Sequence, residues 1–533
     1  MSLFHRNPER PPRVAFGVYK RIILGAILVI LATATAGSAA VLLTTQKIVD
    51  ILKHGENGKS LKFHPHVLTA ADAGKPQTLL VLGSDKRFHD PRGPQKYSNA
   101  RSDTIMLVHL DPNAAATTVL SIPRDLQVTI PDHGTDKINA AYSLGGPDLV
   151  ARTVKNLLGP QVKINHVINV QFHGFQNAVK FLHGVYVDVD QFYYHSNAGL
   201  PPSLQYSEID IKPGYQKLVG SQALAYVRYR HTDSDFIRAD RQQDFLRQVK
   251  DQVGTSGLIN KLFPLVKVVS HDMQFDNTFT TNYGILDLLR LAAYSAQHPI
   301  QQVKFPNGGE VNTPTSSYVT VDGAALAGTV RTFLHPARIQ THQIHVGGNT
   351  GNSGSSAKSK KHKHHHHETP SSLAPGLIQA KAMMENAAAP VIARGQVSFP
   401  MYIPSAIVAG TSLASQSPLS NPYPYKIYDR AVDRRHPKGK RHSAYRIVFQ
   451  ANRLQGGYYG VQGTTWMNPP LIAHPSQTVI RDGRKLMYFT NGGKLRYVAW
   501  KTPHAVYWVS NTLDYELTNK QMVGIARSLF HYH

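Results

Sequence analysis

The residues in this chain that could do chemistry are carboxylates and arginines set in short runs. They are Asp85 in GSDKR, Arg101 and Asp103 in RSD, and Arg124 and Asp125 in SIPRD. Farther along stand Arg228 and Arg230 in VRYRH, then Arg238, Arg241 and Gln242 in IRADRQQ. Any one of these arginines alone reads as a surface ion pair worth at most ~1 kcal/mol. A cluster reads differently, because guanidinium forks match phosphate oxygens two at a time and each charge-assisted hydrogen bond contributes about 1.5–3 kcal/mol. Several of them converging without an equal number of acids imply an anionic ligand. Asp85 and Asp103 would repel such a ligand unless a hard cation lay between, and Mg²⁺ typically takes one or two carboxylates plus substrate phosphates. No histidine occupies these positions and no HExxH or clustered Ser/His/Asp pattern occurs, so zinc proteolysis and triad hydrolysis are unsupported.

Three strand-like runs must bring the first of these residues together: TLLVLGSD, DTIMLVHLDP and TTVLSIP, all within residues 77–130. The first is nearly continuous in apolar residues, as in a strand covered on both faces by helices, and predicts a parallel or mixed α/β sheet. Only DPNAAAT separates the second from the third, a connection short enough to make them an antiparallel pair. The start of one then lies beside the finish of the other, which sets Arg101 and Asp103 against Arg124 and Asp125. If the first strand ends at the same rim, where ligands of open α/β sheets commonly bind, Asp85 joins them.

INHVINVQFHGFQNAVKFLHGVYVDVD reads as strand, amphipathic helix and strand, with Phe172, Phe175, Val179 and Leu182 at the spacing of a core-facing stripe. Arg228 and Arg230, two apart, would share one side of a strand. Arg238, Arg241 and Gln242 would share one face of a helix starting near Asp235.

The chain has 533 residues, ample for two domains, a formal charge of +25 and no cysteine, which excludes disulfides and thiolate metal sites. The run at 22–43, IILGAILVILATATAGSAAVLL, carries no charge and is long enough to span a hydrocarbon core. Arg6, Arg10, Arg13, Lys20 and Arg21 precede it against the single acid Glu9, so residues 1–21 are predicted to stay cytoplasmic and everything after residue 43 to lie outside. The positive charge then points to anionic lipid head groups or phosphate substrates rather than nucleic acid. A polar stalk is predicted over 44–76, a first domain over 77–345, and a Gly/Ser/Lys/His-rich linker over 346–373, whose histidines 362 and 364–367 are assigned no metal role. Residues 374–533 predict a separate α+β domain closed by a helix at TNKQMVGIARSL, its three tryptophans packed as core.

Taken in order, GSDKR, RSDTIMLV, SIPRD, KINAAYSLGG and ALAYVRYRHTDSDFIRADRQQ resemble the LytR-CpsA-Psr family of envelope proteins. The resemblance covers residues 77–250 by motif and extends loosely to about 335. It implies a mixed sheet flanked by helices, and a membrane-anchored, extracytoplasmic phosphotransferase. Such an enzyme moves a glycopolymer phosphate from a polyprenyl-pyrophosphate carrier to a peptidoglycan hydroxyl in cell wall assembly, with Mg²⁺ as cofactor. By the same resemblance Asp85 and Asp103 hold the metal. Arg101, Arg124, Arg228 and Arg230 contact pyrophosphate, Arg238, Arg241 and Gln242 complete the phosphate-facing wall, and Arg124, Asp125, Asp85 and Asp103 form the catalytic group. Ala100 and Ile237 stand where the family favours glycine, and Val219 where it commonly has an acid. The alternatives are a non-catalytic, membrane-anchored binder of polyprenyl phosphate acting as a regulator, and a DNA-binding attenuator, which the outward topology and the lack of a helix-turn-helix signature oppose.

Overall fold

A computed structural model describes residues 61–70, 74–85, 100–114, 116–201, 208–229, 234–253, 272–280, 299–314, 316–336, 373–429, 439–451 and 457–533, with Leu265 and Val268. The apolar run at 22–43, Arg230 and nearly all of the linker lie outside the described residues. Among the described residues no helix is long and apolar enough to cross a membrane.

The three runs form strands as their patterns require: β1 (Gln77–Ser84), β2 (Ser102–Leu110) and β3 (Thr117–Ile122). β1 pairs antiparallel with β2, and β2 antiparallel with β3, so the end of β1, the start of β2 and the end of β3 share one rim. Gly83 lets the first two approach there, since a Cβ on it would meet the Thr104 Cβ at 3.0 Å. The hairpin β4 (Gln127–Ile130) and β5 (Gly134–Lys137) leads into α1 (Ala140–Leu158). Next come β6 (His166–Gln171), α2 (Phe172–Phe181) and β7 (Val185–Val189), the strand, helix and strand that the pattern predicts. β6 joins the sheet parallel to β1, and with β11 (Met273–Phe275) and β12 (Ile300–Val303) the strand order becomes β11-β6-β1-β2-β3-β12, a mixed sheet of six. Leu80, Leu82, Ile105 and Leu107 pack beneath α1, which is the burial expected of central strands.

β7 leaves that sheet and pairs with β10 (Gly214–Leu218), while β8 (Tyr193–His195) pairs with β9 (Ile209–Ile211). Over this second layer lie α2, α3 (Gly220–Arg228) and α4 (Asp235–Val253). Phe175 and Val179 join its core, Phe175 meeting Phe245 at 5.5 Å between ring centroids, so these two positions of the α2 stripe pack as core.

Residues 374–533 build an eight-stranded antiparallel sheet, running across from Thr411–Leu413 to Gln477–Arg481, with its own apolar core. Trp466, Trp500 and Trp508 are all buried in it or at its border, as aromatics of a small sheet usually are. The helix Asn519–Ser528 opens with a capping box from Thr518 and Gln521. It does not close the chain. Leu529–Tyr532 continues as a strand antiparallel to Met401–Pro404, and Leu529 is buried in the core of this domain.

The two halves share a buried border. Tyr186 of β7 and Tyr215 of β10 pack with Trp466 and Trp508 at 5.1 and 5.8 Å between centroids. Polar contacts cross the same border, including Gln302, which donates to the Asn491-side neighbourhood through its backbone N–H at 3.1 Å to Asn491 Oδ1. Asp240 of α4 lies beside it, fully buried, accepting from Gln302 Nε2 at 2.7 Å. Burial first, and then the charge of Asp514, push the Asp240 carboxyl up to about 7, with Lys304 and Arg247 pulling the other way. Because the folded protein holds this proton more tightly than the unfolded chain, the associated stability is present below about pH 4 and is lost as pH rises to about 7. Asp240→Asn is expected to flatten this part of the stability–pH curve and to leave the variant the more stable of the two above pH 7. Denaturant melts from pH 4 to 8 check this, and an unchanged slope would refute it.

Candidate phosphate-binding site

The rim brings Asp103, Arg124 and Arg228 together from three elements. Asp103 is the second residue of β2 and is 9% exposed. Arg124 Nη1 donates to Asp103 Oδ1 at 2.5 Å, while Arg228 donates through Nη2 and Nε to Oδ2 at 3.0 and 3.2 Å. Burial works to raise the Asp103 pKa, but Arg124, Arg228 and Arg238 outweigh it and hold the carboxyl below its ordinary range. Burial works to lower the Arg124 pKa, but Asp103, Asp125 and Asp235 outweigh it and keep the guanidinium charged. Arg228 ends α3 rather than lying on a strand, so the predicted strand over Arg228 is corrected. Ala223, Tyr226 and Val227 are buried at helical spacing, and that favours a helix docked on β9. The Arg228 guanidinium also stacks 4.0 Å from the centre of the Phe172 ring, which holds it in place from α2.

Arg238 enters from the first turn of α4, braced by Asp235 at 3.1 Å. Asp125 sits behind Arg124, 3.7 Å from its Nε, with Lys137 Nζ at 3.3 Å and its backbone N–H donating to Asp235 at 3.2 Å. Burial and then the Asp235 charge raise the Asp125 pKa, against the pull of Arg124 and Lys137.

A cavity of about 680 Å³ opens at this cluster, lined by Asp103, Arg124, Arg228, Arg238 and Tyr229, among others, with α3 forming one wall back to Ser221. Arg124, Arg228 and Arg238 thus line one space from three different elements. An anion with several oxygens fits such a set.

Asp85 follows β1, exposed, and accepts from the Arg101 backbone N–H at 2.9 Å. Partial desolvation at the rim and the Asp103 charge raise its pKa, against the pull of that N–H and of Arg228. Two carboxylates that repel each other at one rim are hard oxygen donors suited to a divalent ion whose remaining ligands are phosphate and water. No larger group of His, Asp or Glu able to hold a metal occurs among the described residues. Tyr142 of α1 steadies this strand end, its Oη 2.9 Å from Ser84 Oγ and accepting from Asn169 at 2.9 Å.

Two predicted wall residues are placed elsewhere. Arg241 is fully buried and donates to Tyr193 Oη at 3.2 Å and to the Tyr229 carbonyl at 2.9 Å, caged by Tyr193, Tyr226 and Tyr229. Gln242 donates to the Val227 carbonyl at 3.1 Å. Both fasten α3 to α4 and neither lines the cavity. Arg101 lies exposed at the rim, with its backbone, not its side chain, bonded to Asp85. Lys137 and Asp235 were missed as site residues. Their signal lay in KINAAYSLGG and in the acid opening α4.

The family model of LytR_cpsA_psr matches residues 39–332, more than half of the chain. The chain belongs to the LytR_cpsA_psr family. Over 219 residues it is 30% identical to the polyisoprenyl-teichoic acid–peptidoglycan teichoic acid transferase TagT of Bacillus subtilis, a match covering 41% of this chain and 66% of that relative. It is 32% identical over 216 residues to TagV of the same organism, covering 40% of this chain and 52% of the relative. The chain thus spans between about half and two thirds of the length of these curated relatives. Among solved structures, the crystal structure of B. subtilis TagV aligns at 28% identity and a TM-score of 0.39 over 49% of this chain and 98% of that one. The LytR_cpsA_psr match ends at residue 332, before the linker, so the carboxy-terminal sheet that packs against β7 and α4 lies beyond it.

Proposed function

We propose that the protein transfers a glycopolymer phosphate from a polyprenyl-pyrophosphate carrier to a peptidoglycan hydroxyl, at the outer face of the membrane. The observation that carries the reading is the convergence of Arg124, Arg228 and Arg238 on one cavity around Asp103, in a chain of the LytR_cpsA_psr family. Relatives named as teichoic acid transferases support the same class of reaction. The apolar run at 22–43 and its basic flank support an anchor beside the lipid carrier, with the domain outside.

In this reading the pyrophosphate lies in the cavity. Arg228 and Arg238 bind the phosphate that stays with the lipid, and Arg124 binds the oxygens of the phosphoryl group in transfer. The acceptor oxygen bonds to that phosphorus while its bond to the bridging oxygen breaks. Polyprenyl phosphate leaves, and the hydroxyl proton passes to water at the exposed rim. Charge builds on the bridging oxygen, so positioning and electrostatic stabilisation supply most of the acceleration. Asp103 places two guanidiniums beforehand, and Asp125 and Lys137 brace the strand end that carries Arg124. Asp85 and Asp103 would hold Mg²⁺, which when bound neutralises charge on the phosphate oxygens. Arg101, and Arg230 beyond the described residues, are proposed as further rim cations for the carrier.

Purified protein given a radiolabelled lipid-linked glycan and peptidoglycan should release polyprenyl phosphate and label the wall polymer. Absence of transfer with each lipid-linked species that co-purifies with the protein would overturn the reading. Asp85→Asn should lose at least about 10-fold in rate, partly recovered by raised Mg²⁺ as a weakened ligand set fills. A defect insensitive to Mg²⁺ would remove Asp85 from the metal site.

A further inference from the structure

Helix α4 is built against the usual pattern. Twelve of its nineteen residues are buried, yet only Ile237, Ala239 and Phe245 among those twelve are apolar. An amphipathic helix docks through an apolar stripe. This one is held by polar groups on two sides. Asp235 and Arg238 face the phosphate cavity or brace its wall. At about 100° per residue, Asp240, Asp244, Arg247 and Asp251 fall on the opposite side. There Gln302 of β12 bonds Asp240 and Arg247, and the carboxy-terminal domain supplies further partners. Arg496 lies 3.3 Å from Asp244 and 3.4 Å from Asp251, and Arg247, itself 3.4 Å from Asp244, donates to Tyr515 Oη. Gln248 closes the network, donating to Asp244 and accepting from the Asp188 N–H.

A greasy face tolerates small rotations and slips, whereas buried ion pairs with named partners specify one register. Asp244 and Arg238 are six residues apart on one rigid helix, a rise of about 9 Å. A shift at the first is therefore carried to the second. We infer that the carboxy-terminal domain is a positioning element for the phosphate site: through Arg496 and Asp244 it sets the register of α4, and so the place of Arg238 beside Asp103 and Arg124. The inference rests on the reading of the cavity as a pyrophosphate site. It gives the second domain a task that needs no ligand of its own, and makes Arg496 a positioning residue that never touches substrate.

Coupling of this kind is reciprocal: whatever docking does for pyrophosphate affinity, pyrophosphate does for docking. The test uses the full chain in detergent with Mg²⁺ and inorganic pyrophosphate as probe. Calorimetry on Arg496→Met, at a temperature where circular dichroism shows it folded, should give affinity about 10-fold weaker than wild type, with Arg496→Lys recovering part of the loss. In the wild type, saturating pyrophosphate should slow amide exchange over residues 494–517. Unchanged affinity in folded Arg496→Met overturns the inference, and so does exchange that pyrophosphate leaves unaltered. The second arm decides if Arg496→Met does not fold. A wild type that binds no pyrophosphate would instead remove the phosphate-site reading itself.

Discussion

Arg124→Lys is expected to bind the lipid-linked donor nearly as well as wild type but to transfer at least about 100-fold more slowly, as when one transition-state donor is removed. The wild-type guanidinium holds Asp103 through Nη1, approaches Asp125 through Nε and lines the cavity. A lysine supplies one compact ammonium on a flexible stem and cannot hold two oxygens at fixed spacing. It would spend its charge on Asp103 or on the phosphate, not on both. Ground-state binding survives because Arg228 and Arg238 remain in the same cavity. The competing account makes Arg124 a tie between Asp103 and Asp125 that only stiffens the strand end. In that case Arg124→Lys lowers thermal stability and leaves the rate per folded molecule untouched. Donor titrations and single-turnover transfer on stability-checked protein separate the two, and unimpaired transfer would end the catalytic role of Arg124. Raised Mg²⁺ should do nothing for this variant, in contrast to Asp85→Asn.

The rim was legible because its geometry depends on turn length and strand order alone. DPNAAAT is too short for anything but an antiparallel return, so the neighbours Asp103 and Arg124 follow from counting. α4 was legible as a helix, but not its surroundings. Arg238 and Arg241, three apart, are ordinarily neighbours on one face. Here the ~60° between them is enough to send one to the cavity and the other into a tyrosine cage. Tyr193 is 48 residues from Arg241 in the chain, and no local pattern announces it. The ending of α3 at Arg228 was open to reading from Ala223, Tyr226 and Val227, but ALAYVR also suits a strand. The border between the domains left the faintest trace: a single aspartate, Asp188, inside the apolar run VYVDV, with its partner 258 residues away.

That aspartate supports the largest expected effect on stability. Asp188 and Arg446 are each 1% exposed, joined at 3.0 and 3.2 Å, and Trp508 Nε1 donates to the same carboxylate at 3.4 Å. Burial raises the Asp188 pKa even against the Arg446 charge, so the pair persists only because each ion answers the other. Arg446→Met strands a carboxylate among Tyr186, Trp508 and Tyr215, and should cost about 3–5 kcal/mol in denaturant unfolding. Arg527→Ala is the control. Its bridge to Asp482 is roughly half exposed on both sides and should contribute at most ~1 kcal/mol. Replacing both members of the buried pair, as in Asp188→Leu with Arg446→Met, removes the charges together and should recover most of the loss, because apolar side chains of similar size suit that space. If Arg446→Met unfolds at the wild-type midpoint, the domains are not held by this pair. If the double variant is as weak as the single one, shape rather than stranded charge is what Arg446 supplies at the border.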